Sequence, residues 1–299
     1  MSEDKTGFEQ FYDNYYKALL LIPLLLFLIS GILIGTKYAQ EGEFINRGIS
    51  FSGGLGITIE NTDLSGEEIQ DQLRQEFPEY DINFRLLGGD TNQRDVIIES
   101  NIQPENEDSD RFEQELLDIT GLTNDDISVE RIGAAFGDAF FKQMFIALLV
   151  AFLFMATVVF FYFRAFEPSM AVILAAVFNI LVAVAIVNML GLQLGTAGVA
   201  GLLMLIGYSI DTDILLTTRM LKEKRERVNL RIKDAITTGV TMTASSFIAL
   251  LIAYIMVSSE VLQEIMLVVM LGLAADLIST YVQNAGLLKW YLERTGASE

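Results

Sequence analysis

The chain has 299 residues, is 52% hydrophobic, and carries a formal net charge of −19 with no cysteine and no histidine. Disulfide frameworks and thiol chemistry are excluded, zinc and haem sites lose their usual ligands, and proton chemistry falls to carboxylates. The apolar residues fall in runs of about 20, the length that crosses a bilayer. Residues 1–17 are a polar start with Lys5 and Lys17. The run 18–36 ("ALLLIPLLLFLISGILIGT") reads as an uncleaved first span, because no small-x-small cleavage site follows it closely. Segment 37–141 then holds 24 Asp and Glu against 7 Lys and Arg. Five more runs follow at 143–163, 169–190, 195–218, 235–257 and 262–288, so 142–288 is a membrane region and 289–299 a polar tail. The chain reads as an α-helical polytopic membrane protein with six spans.

Segment 37–141 reads as a domain. "GLGITIE" (54–60) alternates as a strand does, and "SGEEIQDQLRQEF" opens on a Ser65/Glu68 capping box with Ile69, Leu73 and Phe77 on one helical face. "YDINFRLLG" and "RDVIIESN" read as strands around a turn containing Gly88, Gly89 and Asn92. "DSDRFEQELLDITG" reads as a helix ending at Gly121, and "DISVERIG" as a last strand. The order βαββαβ predicts a ferredoxin-like sheet between the first two spans. Its acidity suits solvation in very high salt, a halophilic setting. The cluster "ENEDSD" (105–110) lacks the glycine and terminal glutamate of a calcium loop and reads as a solvated approach to a helix.

Orientation follows from the basic residues. The connection 219–233 contains Arg219, Lys222, Lys224, Arg225, Arg227, Arg231 and Lys233; Arg164, Lys289 and Arg294 fall on the same side, and the connections 191–194 and 258–261 have none. That side is read as cytoplasmic, with both termini, in the cytoplasmic membrane. Segment 37–141 is then external.

Polar groups inside the spans carry the functional signal. Asp211 and Asp213 lie in the fourth span and Asp276 in the sixth; each acid at the bilayer centre costs about 2.5–3.5 kcal/mol. On a helix Asp211 and Asp213 stand about 200° apart, so they cannot share a face. Tyr208, Ser209 and Thr212 lie beside them, Asn179 is in the third span, and Thr238, Thr241 and Ser245 lie along the fifth. No basic residue lies within any span to pair with the acids. The three aspartates are therefore candidates for an ion relay.

"GYSIDTDILLTTR" (207–219) resembles the fourth-span motif of the SecD/SecF protein-export family, on its SecF side, and "GISFSGGLGITIE" (48–60) resembles the glycine-rich opening of that family's external domain, with Gly48, Gly53 and Gly54. "GLAADLISTYVQNAGLL" (272–288) looks more like archaeal members than bacterial ones. The resemblance covers nearly the whole chain and places it in the resistance-nodulation-division superfamily. It implies an accessory subunit of protein export, with a SecD-like protein, the Sec channel, unfolded preproteins and the lipid bilayer as partners. Bacterial members usually read Gly-Tyr-Ser-x-Asn-Asp-Thr, which puts their acidic position at Thr212, flanked here by Asp211 and Asp213; their third-span Asp falls at Asn179 and their fifth-span Arg near Thr238. A half-size, proton-driven exporter of small molecules or lipids of the same superfamily is the competing function. An intramembrane aspartyl protease would need Tyr-Asp and Gly-x-Gly-Asp, whereas the chain has Ile210-Asp211 and Ala275-Asp276. No enzyme activity, cofactor, metal, nucleotide or nucleic-acid partner is expected.

Overall fold

The computed structural model describes residues 7–62, 66–87, 94–222, 228–257 and 259–295. The Ser65/Glu68 capping box and the turn at Gly88, Gly89 and Asn92 lie outside what is described. Six helices are long and apolar enough to cross a membrane. A short amphipathic helix, α1 (Gly7–Leu19), turns at Leu20 into the first spanning helix, α2 (Leu21–Glu41). Pro23 sits in the first turn of α2, where the missing N–H would have no helical partner anyway. The remaining spans are α6 (Ala134–Phe163), α7 (Phe166–Met189), α8 (Thr196–Lys222), α9 (Val228–Met256) and α10 (Glu260–Ile278), the last continued by a π-helical segment, Ser279–Asn284, and α11 (Ala285–Thr295). Helix α6 begins at Ala134 instead of 143 because the segment before its apolar run continues the same helix out of the sheet domain.

Between α2 and α6 lie α3 (Ile49–Ser52), β1 (Gly54–Thr62), α4 (Gly66–Glu76), β2 (Ile82–Leu87), β3 (Arg94–Ser100), α5 (Glu107–Thr120) and β4 (Ile127–Ile132). The strands form one sheet in the order β2-β3-β1-β4, every neighbouring pair antiparallel. Alternate residues Leu55, Ile57 and Ile59 of β1 and Val96 and Ile98 of β3 are buried with Ile69, Leu73 and Phe77 of the α4 face and Phe112 and Leu116 of α5. Each fully buried side chain of this size contributes about 1.5–3 kcal/mol. Asn106 caps α5 by accepting from the Asp108 backbone N–H, and Gly121 ends it in the left-handed region. Glu107, Asp108 and Asp110 thus occupy the first turn of α5, where negative charge meets the positive end of the helix.

The sheet domain is tied down at its root. The Gly48 N–H donates to Leu194 O at 3.0 Å and the Leu194 N–H to Asn46 O at 2.7 Å. Asn188, in the last turn of α7, donates from Nδ2 to Phe44 O at 2.9 Å and accepts from the Asn46 N–H at 3.1 Å. Gly48 itself lies close against the Gly195 backbone.

At the other end of the bundle, α1 packs on α8, α9 and α11 through Tyr12, Tyr16, Met220, Ile232, Leu288 and Leu292. Lys289 donates to Asn229 Oδ1 at 3.0 Å and lies 4.9 and 4.8 Å from the Tyr12 and Tyr16 ring centres, while the Tyr16 hydroxyl bonds Glu293. Of the basic stretch expected as a loop at 219–233, the described residues are helical: Arg219 and Lys222 close α8, and Arg231, buried in α9, donates to Met220 O at 2.6 Å. A cation there meets the carbonyls that the end of α8 leaves open.

Candidate functional site

Helices α7, α8 and α10 with its π-helical continuation enclose a buried polar cluster within the apolar bundle. Asn179, Ser209, Asp213, Asp276, Thr280 and Asn284 are each fully buried, and Thr212 nearly so. The helices approach closely because small residues line the seam. A Cβ on Gly272 of α10 would lie 2.2 Å from Leu205 of α8, and one on Gly201 of α8 would lie 3.0 Å from Val268 of α10.

Asp276 accepts from Asn179 Nδ2 at 2.8 Å and from Thr280 Oγ1 at 3.2 Å on one carboxylate oxygen, and from Thr212 Oγ1 at 2.8 Å on the other. Asn179 also donates to Ser209 Oγ at 2.8 Å. Asp213 accepts on Oδ1 from Thr280 Oγ1 at 2.9 Å and from Asn284 Nδ2 at 2.8 Å. The Thr280 hydroxyl has one proton and two carboxylate oxygens in reach, one on α8 and one on its own helix. Thr212 has the same choice between Asp276 Oδ2 and the Ser209 carbonyl, at 2.8 Å each. Each hydroxyl can point at whichever acceptor is more negative, so the two carboxylates sense each other through a rotor.

The π-helical segment makes this possible. In a regular α-helix Asp276 and Asn284 would be turned about 80° from each other. The wider turns of Ser279–Asn284 bring Asp276, Thr280 and Asn284 onto one face. Such segments are frequent at functional sites.

The other expected residues lie elsewhere. Asp211 is exposed on the opposite face of α8, beside Tyr208 and Met204, which are 39% and 43% exposed. Thr241 and Ser245 of α9 bond back to the carbonyls of Thr237 and Thr241, and Thr238 to that of Asp234. These hydroxyls need no partner from another helix. Gly48, Gly53 and Gly54 belong to the root of the sheet domain. Thr280 was not anticipated; its signal in the sequence is the four-residue spacing of Asp276, Thr280 and Asn284.

Comparisons with known proteins place this architecture. A family model described as the C-terminal part of the protein-export membrane proteins SecD and SecF matches residues 112–294. A protein-export membrane protein SecF of Methanocaldococcus jannaschii is 37% identical over 93% of this chain and 96% of its own length. A protein of the same description from Methanolacinia petrolearia is 34% identical over 95% of this chain and 98% of its own. The crystal structure of SecDF, a translocon-associated membrane protein from Thermus thermophilus, shares the fold over 98% of this chain with a TM-score of 0.75 at 19% identity. This chain spans 39% of that one. The relatives are described as protein-export membrane proteins. A family match over more than half of the chain and relatives over nearly all of it agree: the chain belongs to the SecD/SecF family of protein-export membrane proteins, as a SecF of archaeal type.

Proposed function

We propose that this chain is the SecF half of a SecD–SecF complex that promotes translocation of unfolded preproteins through the Sec channel. In this reading Asp213 and Asp276 respond to an ion gradient, and the termini and the α8–α9 connection are cytoplasmic with the sheet domain external. Pairing is supported by Asp211. A carboxylate facing lipid on α8 costs about 2.5–3.5 kcal/mol near the bilayer centre, and the described residues leave the face it shares with Tyr208 and Met204 exposed. The partner covers that face. Ion response is supported by the Thr280 hydroxyl, which lies within reach of carboxylates on two helices.

Co-expression with a SecD-like protein followed by mild detergent extraction is expected to recover a heteromeric complex, and Asp211→Leu in this chain is expected to leave that complex intact or strengthen it only if the face is buried against apolar surface. A stable monomer fully active in export would overturn the pairing. For orientation, single cysteines at Glu107 and Lys233, both exposed, are expected to react with an impermeant reagent from opposite sides of the membrane. Reaction of both from outside would overturn the six-span arrangement.

A further inference from the structure

We propose that the apolar slot between α2 and α6, at the end of the bundle that carries the sheet domain, seats one anionic phospholipid. Its chain lies against α7 and α8, and its phosphate between Lys37 and Lys142. The site is separate from the buried carboxylates and independent of how they respond to ions.

The first observation is a void. Helices α2 and α6 both rest on α7 but scarcely on each other, which leaves a cavity of about 290 Å³. Ile34 of α2, Met144 and Leu148 of α6, and Ile180 and Val184 of α7 form its walls and are half-buried. Leu194, Val199 and Leu202 form a buried floor, and Phe44 and Phe145 at the mouth are about half exposed. A closely packed interior does not leave a void of this size, and one lined by apolar side chains alone does not fill with water. The mouth opens among the exposed apolar side chains of two spans, where lipid is the solvent.

The second observation is charge, and it is written in the sequence. Between Lys17 and Lys222 the chain has two lysines, Lys37 and Lys142. One directly follows the apolar run of α2 and the other directly precedes that of α6, so both stand where hydrocarbon gives way to headgroups. Each is three residues from the slot on its own helix, Lys37 after Ile34 and Lys142 before Phe145. That spacing sets both lysines over the slot, one turn nearer the sheet domain. Lys142 is exposed, and no ion pair among the described residues reaches it. Lys37 pairs with Glu41 one turn further along α2, a contact of little worth at a surface. Arg47 is differently placed: it lies over the Phe141 ring and is already engaged by Asp138 and Glu43.

The lining selects the occupant. An extended peptide would find no acceptor for its N–H groups among these side chains. A helix of another chain, about 10–12 Å across, would cover the mouth and leave the floor on α8 unfilled. A lipid chain is slender, needs no hydrogen bond, and ends in a phosphate that a lysine binds at headgroup level. A zwitterionic headgroup brings its own cation to that phosphate, whereas an anionic one leaves it to the two lysines. The chain then lies against Ile45 and Leu194, beside the backbone bonds of Asn46 and Gly48 that root the sheet domain.

The test incubates the full chain, purified in mild detergent, with phosphatidylglycerol or phosphatidylcholine and counts the lipid retained per chain by native mass spectrometry. One phosphatidylglycerol is expected to be retained, in preference to phosphatidylcholine by about fivefold or more. Lys142→Gln is expected to lower its retention about fivefold, and Lys37→Gln added to it to lower it further. Lys233→Gln, exposed on α9, leaves retention unchanged. Val184→Phe fills the slot and is expected to abolish retention with both lysines in place. The lysine variants alter no core packing and decide the matter should Val184→Phe not fold. Equal retention of the two lipids, retention that survives the double lysine substitution, or retention by folded Val184→Phe would overturn the site. A photo-crosslinker at Phe145 in native membranes is expected to capture lipid; capture of a co-expressed SecD-like chain or of a preprotein in its place would overturn it as well.

Discussion

Asp213→Asn and Asp276→Asn are each expected to leave the protein inserted and assembled while lowering export by about 5–150-fold, the range of coupling free energies of about 1–3 kcal/mol. The separation follows from the hydrogen bonds. An asparagine at 213 keeps an oxygen to accept from Thr280 and Asn284, and its NH2 falls where Oδ2 now has no partner. At 276 the remaining oxygen accepts from Asn179 and Thr280, and Thr212 can turn its proton to the Ser209 carbonyl and accept from the new amide. Packing is thus preserved, and only the charge that can come and go is lost. A role in packing alone predicts the reverse, near-neutral export and equal or greater stability, because a costly buried acid has been removed. Complex abundance and secretion measured together decide between them. Normal export in both single variants and in the double variant would sink ion coupling through this pair.

The largest expected effect on stability is Gly54→Ala. Gly54 has φ of 141°, which side chains rarely adopt, and a Cβ there would lie 2.2 Å from the Ser100 carbonyl oxygen. Strain and overpacking together cost about 2–6 kcal/mol, a large share of a domain stability of about 5–15 kcal/mol. Gly42→Ala is the control. It has φ of 77° but open space around it, so only the backbone cost of about 1–2 kcal/mol remains. Gly54→Ala is expected to reduce accumulation and expose the sheet domain to trypsin, whereas Gly42→Ala does so weakly. Equal behaviour of the two would show that close approach at β1 does not matter.

Much of this could be read from the residues. Long apolar runs announce spans because water cannot satisfy a backbone in lipid, and alternation in "GLGITIE" announced β1 because one face of that strand is buried. Asp213, Asp276 and Asn179 stood out because polar groups are costly where they sit. The choice between Asp211 and Asp213 was not available, since each lies on a stripe of small residues and only a neighbour's position decides which is covered. Thr280 was hidden for another reason. Its four-residue spacing from Asp276 and Asn284 is visible, but a lone threonine in an apolar span is ordinarily satisfied by its own helix, and only the packing of the π-helical segment on α8 sets this one between two carboxylates. The hydroxyls of α9 misled in the opposite direction: a polar stripe marks a site only when its groups are not already satisfied by their own helix.

The root of the sheet domain has a mechanical consequence. Backbone bonds from Asn46 and Gly48 grip Leu194, and α8 starts at Thr196. From there to Asp213 is about 26 Å of helix, a stiff rod with no intervening loop to absorb slack. A tug on the domain is therefore a tug on the top of that rod, delivered to the carboxylate that faces Asp276 and Thr280. The stroke is short, because Gly272 and Leu205 leave little room to slide. If the carboxylate pair responds to ions as proposed, force and charge act on the same lever from its two ends.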